Sequence, residues 1–301
     1  MNFMEKPRVC VLFITYNHVN YVAEALESIL MQKTTFPFQI VIGDDCSADG
    51  TRTVLQTYAA NYPEKIILSN PAANLGAEKN FNQLLAKCID IGSDYIAYLE
   101  GDDYWVDEFK LQKQFDVLET EPAVGLVYGK HKILGPKNEF VQYKIPSYKS
   151  GFIFEDIILC KYLPSLHASF FRTSIVKEIF EQKNFIGLDF YIIAEIAKRR
   201  QLKYIDEFVF VYRATAGSVT KIQADNVTKQ FTQVLGLYKS DYPALFKKGF
   251  KNGRRKLLYN QIEDNPSFKN FLCLFKYFEF SVLHQKQMVK WFYLRLKNLV
   301  S

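Results

Sequence analysis

Fourteen residues constrain this chain more than any others: Asp94-Tyr-Ile-Ala-Tyr-Leu-Glu-Gly-Asp-Asp-Tyr-Trp-Val-Asp107. An apolar run of β type, Tyr95 to Leu99, ends in three carboxylates within four positions, Glu100, Asp102 and Asp103. Such runs form the buried strands of α/β proteins, and open sheets bind ligands at the carboxyl ends of these strands. Carboxylates this close repel one another unless protons or a cation offset the charge. Two readings follow. In one, the cluster holds Mg2+ or Mn2+ against a bound diphosphate, because hard cations take oxygen ligands and keep phosphates in their shell. In the other, it is a solvated acidic turn ahead of a helix that starts near Asp107.

The preceding sequence alternates strands with helices. Val9 to Ile14 is a short apolar run. After the polar turn Thr15-Tyr16-Asn17-His18, the residues Val22, Ala25, Leu26, Ile29 and Leu30 fall at helical spacing, with Asn20 placed to cap. Gln39 to Ile42 is a second strand, running into Gly43-Asp44-Asp45-Cys46-Ser47-Ala48-Asp49-Gly50-Thr51 and a helix with Val54, Leu55 and Tyr58. Lys65 to Leu68 is a third, and Asn74-Leu75-Gly76 then turns into a helix through Phe81, Leu84, Leu85 and Cys88. This alternation with short connections predicts a parallel sheet covered on both faces. Its polar loops gather at one edge. No G-x-G-x-x-G follows the first strand and no Walker loop is present, which excludes those two phosphate-binding devices. A nucleotide would have to be held by side chains and a metal.

Composition adds bounds. At 301 residues, 49% hydrophobic and 16% aromatic, the chain has ample core for one large α/β domain with an appendage, or for two domains. The cysteines Cys10, Cys46, Cys88, Cys160 and Cys273 are scattered and form no CxxC pair, as expected of reduced thiols in a cytosolic chain. No apolar leader opens the sequence and no run of about 18 uncharged apolar residues occurs, so neither secretion by that route nor a membrane span is expected. The net charge of +6 is uneven: residues 229–301 carry 14 Lys and Arg against 4 Asp and Glu, leaving 24 against 28 for residues 1–228. A mildly acidic body therefore precedes a basic tail.

In order, Thr15-Tyr16-Asn17, Asp44-Asp45-Cys46-Ser47-Ala48-Asp49-Gly50-Thr51, Asn74-Leu75-Gly76 and Glu100-Gly101-Asp102-Asp103-Tyr104-Trp105 resemble the motifs of the family 2 glycosyltransferases. The resemblance is strong from residue 8 to about 130 and looser to about 220. It implies an inverting enzyme and an α/β fold of GT-A type, a Rossmann-like mixed sheet with helices on both faces. That domain is expected over 1–228, followed by a helical, basic, aromatic-rich extension over 229–301.

The resemblance also implies a site. The turn after the first strand holds the nucleotide base, which places Thr15, Tyr16 and Asn17 there. Asp45 would accept from the uracil imide N–H, a charge-assisted bond; its alternative is a turn or capping role. Asp49 and Gly50 are assigned to that turn. Lys79 stands where relatives carry a basic residue near the nucleotide, against the alternative of a solvated helix face. Asp103 matches the direct metal ligand, and Asp102 the residue on the ribose or metal shell, the two roles being exchangeable. Glu100 stands where many relatives have Asp. Mn2+ or Mg2+ would bridge the phosphates and help the nucleoside diphosphate leave. Tyr104 and Trp105 are either a wall for a sugar ring or packing. Gly187-Leu188-Asp189-Phe190-Tyr191 resembles the segment carrying the family's base, so Asp189 would deprotonate the acceptor hydroxyl; its alternative is a plain helix cap. Tyr212-Arg213-Ala214-Thr215 resembles Tyr-Arg-x-His, leaving Arg213 for the diphosphate and Thr215 in place of the histidine. His167 reads as a structural histidine, with an acceptor-facing position the alternative.

The tail, with Phe246 to Lys256, Phe268 to Phe280 and Lys290 to Lys297, suggests two or three amphipathic helices. Lys and Arg among Trp, Phe and Leu suit an anionic membrane surface; covering the body or a partner is the alternative. Nucleic acid is not expected. The whole points to a metal-dependent hexosyl or N-acetylhexosaminyl transferase. It would move sugar from a UDP-sugar to a cell-envelope glycan or polyprenyl-linked acceptor, in the cytoplasm or peripherally on the inner membrane face. The reading from another class is a catalytically inactive sugar-nucleotide-binding subunit of a glycan assembly complex.

Overall fold

The computed structural model describes residues 6–141, 148–182, 185–186, 189–214 and 224–264, with backbone alone for 224–230 and 255–264. In its first hundred residues the hydrophobic pattern and the fold coincide. β1 (Val9–Thr15), β2 (Phe38–Asp44), β3 (Ile66–Ser69) and β4 (Tyr95–Glu100) are parallel neighbours in the order β3-β2-β1-β4. Every residue of β1 is buried, as a strand covered on both faces requires. The helices between these strands are α1 (Val22–Leu30), α2 (Thr51–Asn61) and α3 (Ala77–Ile91). α1 buries Val22, Ala25, Leu26 and Ile29 in the same core as Val9, Val11 and Phe13, each of the side chains larger than alanine contributing about 1.5–3 kcal/mol. Asn20 does not cap this helix. The N–H groups of Tyr21 and Val22 bond instead to the His18 carbonyl, so the turn itself starts α1.

Beyond β4 the sheet becomes mixed. β5 (Tyr104–Trp105), α4 (Lys110–Thr120), β6 (Val124–Leu134), α5 (Phe154–Ile158), β7 (Ser169–Arg172), α6 (Thr173–Phe180), α7 (Asp189–Arg199) and β8 (Gln201–Arg213) follow. β7 runs antiparallel between β4 and β6, β6 and β8 are parallel, and β5 returns antiparallel on β8. Two consequences matter for the site. The 3-10 turn Leu166–Ala168 leads straight into β7, beside β4. β8 carries Val211 opposite Tyr104, so Arg213 arrives beside the loop that ends β4.

The chain divides into two compact units, Met1–Phe154 with Tyr162–Ala216 and Glu155–Lys161 with Gly217–Ser301. The first holds the sheet. The second holds α8 (Ala224–Leu237) and α9 (Pro243–Asp264). Within it Asn252 donates to the Leu159 carbonyl at 2.9 Å. Gly249 permits that approach, since a Cβ there would stand 2.0 Å from the Ile158 carbonyl oxygen. The tail segments from Phe268 and from Lys290 lie outside the described residues, as do Gly187, Leu188 and Thr215. No described helix is long and apolar enough to cross a membrane.

Trp105 is interior, 1% exposed, and so belongs to the core rather than to a sugar subsite. Over its ring, at 4.2 Å from the centroid, lies the ammonium of Lys110, fully buried and donating to Gln114 Oε1 at 2.8 Å. Desolvation pulls the Lys110 pKa down to about 7, against the pull of Asp107. The unfolded chain keeps the ordinary lysine value, so it binds the extra proton between about 7 and 10.5, and stability rises with pH across that window. Lys110→Met should therefore raise the melting temperature at pH 6, and the gain should shrink towards pH 10. An equal change at both pH values would refute this account.

Candidate active site

Three strand ends are level. Thr15 pairs with Asp44 and Ile14 with Glu100, so the loops after β1, β2 and β4 share one edge. Side chains stitch the first two loops together. The Asn17 N–H donates to Ser47 Oγ at 2.8 Å and its Oδ1 accepts from the Ala48 N–H at 2.9 Å. Asn17 takes a φ of 55°, a left-handed conformation that asparagine tolerates. Asp49 accepts from the N–H of Val19 at 3.0 Å and from Thr51, the turn role assigned to it.

The Asp-Asp pair is committed to the same scaffold. Asp44 is fully buried, ion-paired with Arg52 Nε at 3.1 Å and bonded to Ser47. Asp45 is 3% exposed; its Oδ1 accepts from the Leu75 N–H at 2.7 Å and its Oδ2 from the Gly76 N–H at 2.9 Å. Asp45 thus fastens the turn that opens α3, and only the remaining lone pairs of its carboxylate are left for a base. Tyr16, 47% exposed, and Lys79, on the solvent side of the first turn of α3, are accessible.

At the end of β4, Gly101 is required by proximity: a Cβ there would stand 2.4 Å from Thr15 Oγ1. The turn sets Asp102 Oδ2 3.9 Å from His18 Nε2, while His18 Nδ1 lies 3.2 Å from Thr15 Oγ1. Asp103 is fully buried, and its Oδ1 accepts from the Arg213 backbone N–H at 2.8 Å. Asp103 Oδ2 has no hydrogen-bond partner. It faces His167 Nε2 at 3.8 Å, which is also buried without a partner and stands 3.5 Å from Glu100 Oε1. Tyr98 donates to that Glu100 oxygen at 2.6 Å.

The charges respond to this crowding. Desolvation lifts Asp103 to about 7, with His167 pulling it down and Asp102 pushing it up. Asp102 is raised by desolvation, against His18. Desolvation would lower His167, but Glu100, Asp103 and Asp189 together raise it to about 10. Desolvation would raise Glu100, but His167 and Tyr98 hold it at about 2. Asp189, in the first turn of α7, keeps solvent contact, yet desolvation lifts its carboxyl to about 6. His167 opposes that rise and Glu100 adds to it. The structure therefore brings Glu100, Asp102, Asp103 and Asp189 together around two histidines.

Arg213 closes the site from below. Its guanidinium donates to the Asp102 carbonyl at 2.7 Å, pairs with Glu24 of α1, and lies over the rings of Tyr104 and Tyr21 at 4.5 and 5.1 Å. A phosphate contact would have to displace Glu24. His18, Glu24, Tyr98 and His167 have no local sequence signal for these positions, apart from the place of His18 in the turn after β1.

The residues fit a hard divalent cation. Among the described residues no three His, Cys, Asp or Glu side chains form a ready-made metal site. The orphaned, buried Asp103 Oδ2 among mutually repelling carboxylates is nevertheless the donor such a cation takes when phosphates and water complete its shell. If the Arg213 clamp is structural, Arg213→Lys should lower the melting temperature of the ligand-free protein, costing about 1–3 kcal/mol for the broken charged hydrogen bonds. An unchanged melting temperature would return Arg213 to a purely phosphate-binding role.

Comparison with known proteins agrees with this architecture. An uncharacterised protein of Mycobacterium tuberculosis is 26% identical over 212 residues, 69% of this chain and 59% of that protein, so the chain spans under two thirds of that relative. A dTDP-rhamnosyl transferase of Shigella flexneri is 36% identical over 107 residues, 35% of this chain and 36% of its own. The crystal structure of Staphylococcus aureus TarS 1-349 with UDP-GlcNAc superposes with a TM-score of 0.63 at 17% identity, covering 90% of this chain and 79% of that one. The mannosyltransferase PcManGT of Pyrobaculum calidifontis, with GDP-Man and Mn2+, superposes with a TM-score of 0.59 at 15% identity, covering 91% and 80%. The fold is GT-A. With the glycosyl transferase family 2 model matching residues 10–182, the chain belongs to that family of glycosyltransferases.

Proposed function

We propose that residues 1–228 form a metal-dependent, inverting glycosyltransferase domain, with 229–301 a helical extension. The domain transfers a hexosyl or N-acetylhexosaminyl group from a UDP-sugar to a hydroxyl of a cell-envelope glycan or polyprenyl-linked acceptor. The observation that carries this reading is that Asp103, with its unpartnered buried oxygen, and Asp189, at the start of α7, both act on His167. One group suits a metal and the other a base.

In this proposal Thr15, Tyr16, Asn17, Asp45 and Lys79 line the nucleotide, and Asp45 supplies the acceptor for an imide N–H. Asp103 holds Mn2+ or Mg2+, with Asp102 on the ribose or the metal shell and Arg213 beneath the diphosphate. When bound, the cation offsets the charge that develops on the departing nucleoside diphosphate. Asp189 takes the proton of the acceptor hydroxyl as its oxygen bonds to the anomeric carbon and the bond to the diphosphate breaks. The pKa of about 6 helps: a base works best when its pKa lies near the operating pH. Two structural neighbours, one holding UDP-GlcNAc and the other GDP-Man with Mn2+, support a nucleotide-sugar donor.

The decisive variant is Asp189→Asn. Asparagine still suits a helix start, so the fold should hold. Donor affinity should stay near normal while transfer falls 10²–10⁴-fold, the usual worth of general base catalysis. Near-normal transfer would move the base elsewhere. Tight nucleotide binding without turnover in the unmodified protein would leave the inactive binding subunit as the function. For the extension, a chain ending at residue 228 should lose binding to anionic vesicles at low salt and keep nucleotide binding. Full-length protein that ignores such vesicles would sink the membrane-surface role.

A further inference from the structure

We propose that His167 is a second protein ligand of the cation, joining Asp103 through Nε2. The proposal rests on the metal-dependent reading above. It starts from two atoms. Asp103 Oδ2 and His167 Nε2 are both buried, both lack a hydrogen-bond partner, and face each other across 3.8 Å. That gap is too long for a hydrogen bond. Nε2 pairs loosely with Glu100 Oε1 at 3.5 Å, but towards Asp103 Oδ2 it stops short, and a buried charge facing a carboxylate without a hydrogen bond is costly. Two ligands each about 2.1 Å from one ion are separated by about 3 Å when adjacent and about 4.2 Å when opposite. At 3.8 Å the pair is wider than adjacent ligands, so an ion can enter between the two atoms and draw them in.

The supports are those a ligand needs. The ring is packed against Tyr98, centroids 5.0 Å apart, and Phe210, 5.5 Å, so its direction is fixed. Its other nitrogen, Nδ1, faces Ser165 Oγ at 3.4 Å, which orients the ring as outer-shell partners orient metal-bound histidines. Asp103 is held by the Arg213 N–H through Oδ1, leaving Oδ2 to the ion. On binding, the Nε2 proton would be released to solvent and the neutral imidazole nitrogen would face the cation. One carboxylate and one imidazole leave positions for two phosphate oxygens and water, in keeping with the lack of a three-residue site. Glu100 then acts from outside, through water or through Tyr98.

The test reads the metal rather than turnover. Full-length protein labelled with 15N-histidine is loaded with Mn2+ alone and with each of UDP, GDP and dTDP, and the electron-spin-echo modulation is recorded. A 15N coupling from a directly bound imidazole is expected. It should vanish in His167→Gln, whose Mn2+ dissociation constant should rise at least 10–100-fold, the range known for outer-shell losses. The chain has four histidines, and the coupling should survive in His18→Gln, His131→Gln and His284→Gln, so the assignment stands even if His167→Gln folds poorly. Bound Mn2+ without histidine coupling, or coupling that survives His167→Gln, overturns the proposal and leaves the metal-dependent reading intact. Failure to bind Mn2+ with any of the three nucleotides overturns both.

Discussion

Repulsion among four carboxylates at one sheet edge is the constraint on which the rest of the site depends. Two unit charges 4 Å apart cost about 4 kcal/mol in a surface-like dielectric, and burial increases this. Glu100, Asp102 and Asp103 come from a single tight turn, so the chain cannot separate them. The compensation arrives from far along the sequence. His167 enters on the turn before β7, Arg213 on the last residue of β8, and His18 on the loop after β1. The antiparallel insertion of β7 next to β4 and the pairing of β5 with β8 are what deliver the first two. The mixed half of the sheet thus neutralises the parallel half at its carboxyl end.

The side proposed for the nucleotide is built on a different principle. A glycine-rich loop presents backbone N–H groups to phosphate; here the loops after β1 and β2 spend those groups on each other. Asn17, Ser47, Asp49 and Thr51 form one mesh, and Asp45 ties it to the Leu75-Gly76 turn. Such a surface is fixed before ligand arrives, so less ordering is paid on binding. On the proposed role of Asp45, one carboxylate both holds the loop and receives the base. Replacing it would disturb structure and recognition together.

Which parts were legible in the sequence follows from the range of the forces. β1 to β4 were readable because strands buried on both faces must be continuously apolar. The clustering of Asp102 with Asp103, and the place of Asp189 at a helix start, were readable because each is a local pattern. The position of His167 was not: nothing in Leu166-His167-Ala168 tells that Nε2 will meet Glu100 and Asp103, more than sixty residues earlier. Nor was the clamp of Arg213 on Glu24, which lies 189 residues away. Trp105, readable as either a sugar wall or packing, is settled only by the fold, which buries it together with Lys110.

The position of Asp189 reconciles two demands on one carboxylate. The helix start and His167 both favour its ionised form, and a strongly stabilised carboxylate is a weak base. Desolvation and Glu100 oppose them and prevail, leaving it at about 6. Glu100 is therefore more than a variant of an aspartate. Held at about 2 by His167 and Tyr98, it stays charged across the working range and keeps pressing on Asp189. On the proposed roles, a cation at Asp103 would add positive charge to the same neighbourhood and weaken Asp189 as a base, and the negative charge of a bound donor would offset it. On that reading donor binding is the condition under which Asp189 keeps its basicity, which ties the order of binding to the electrostatics of one strand end.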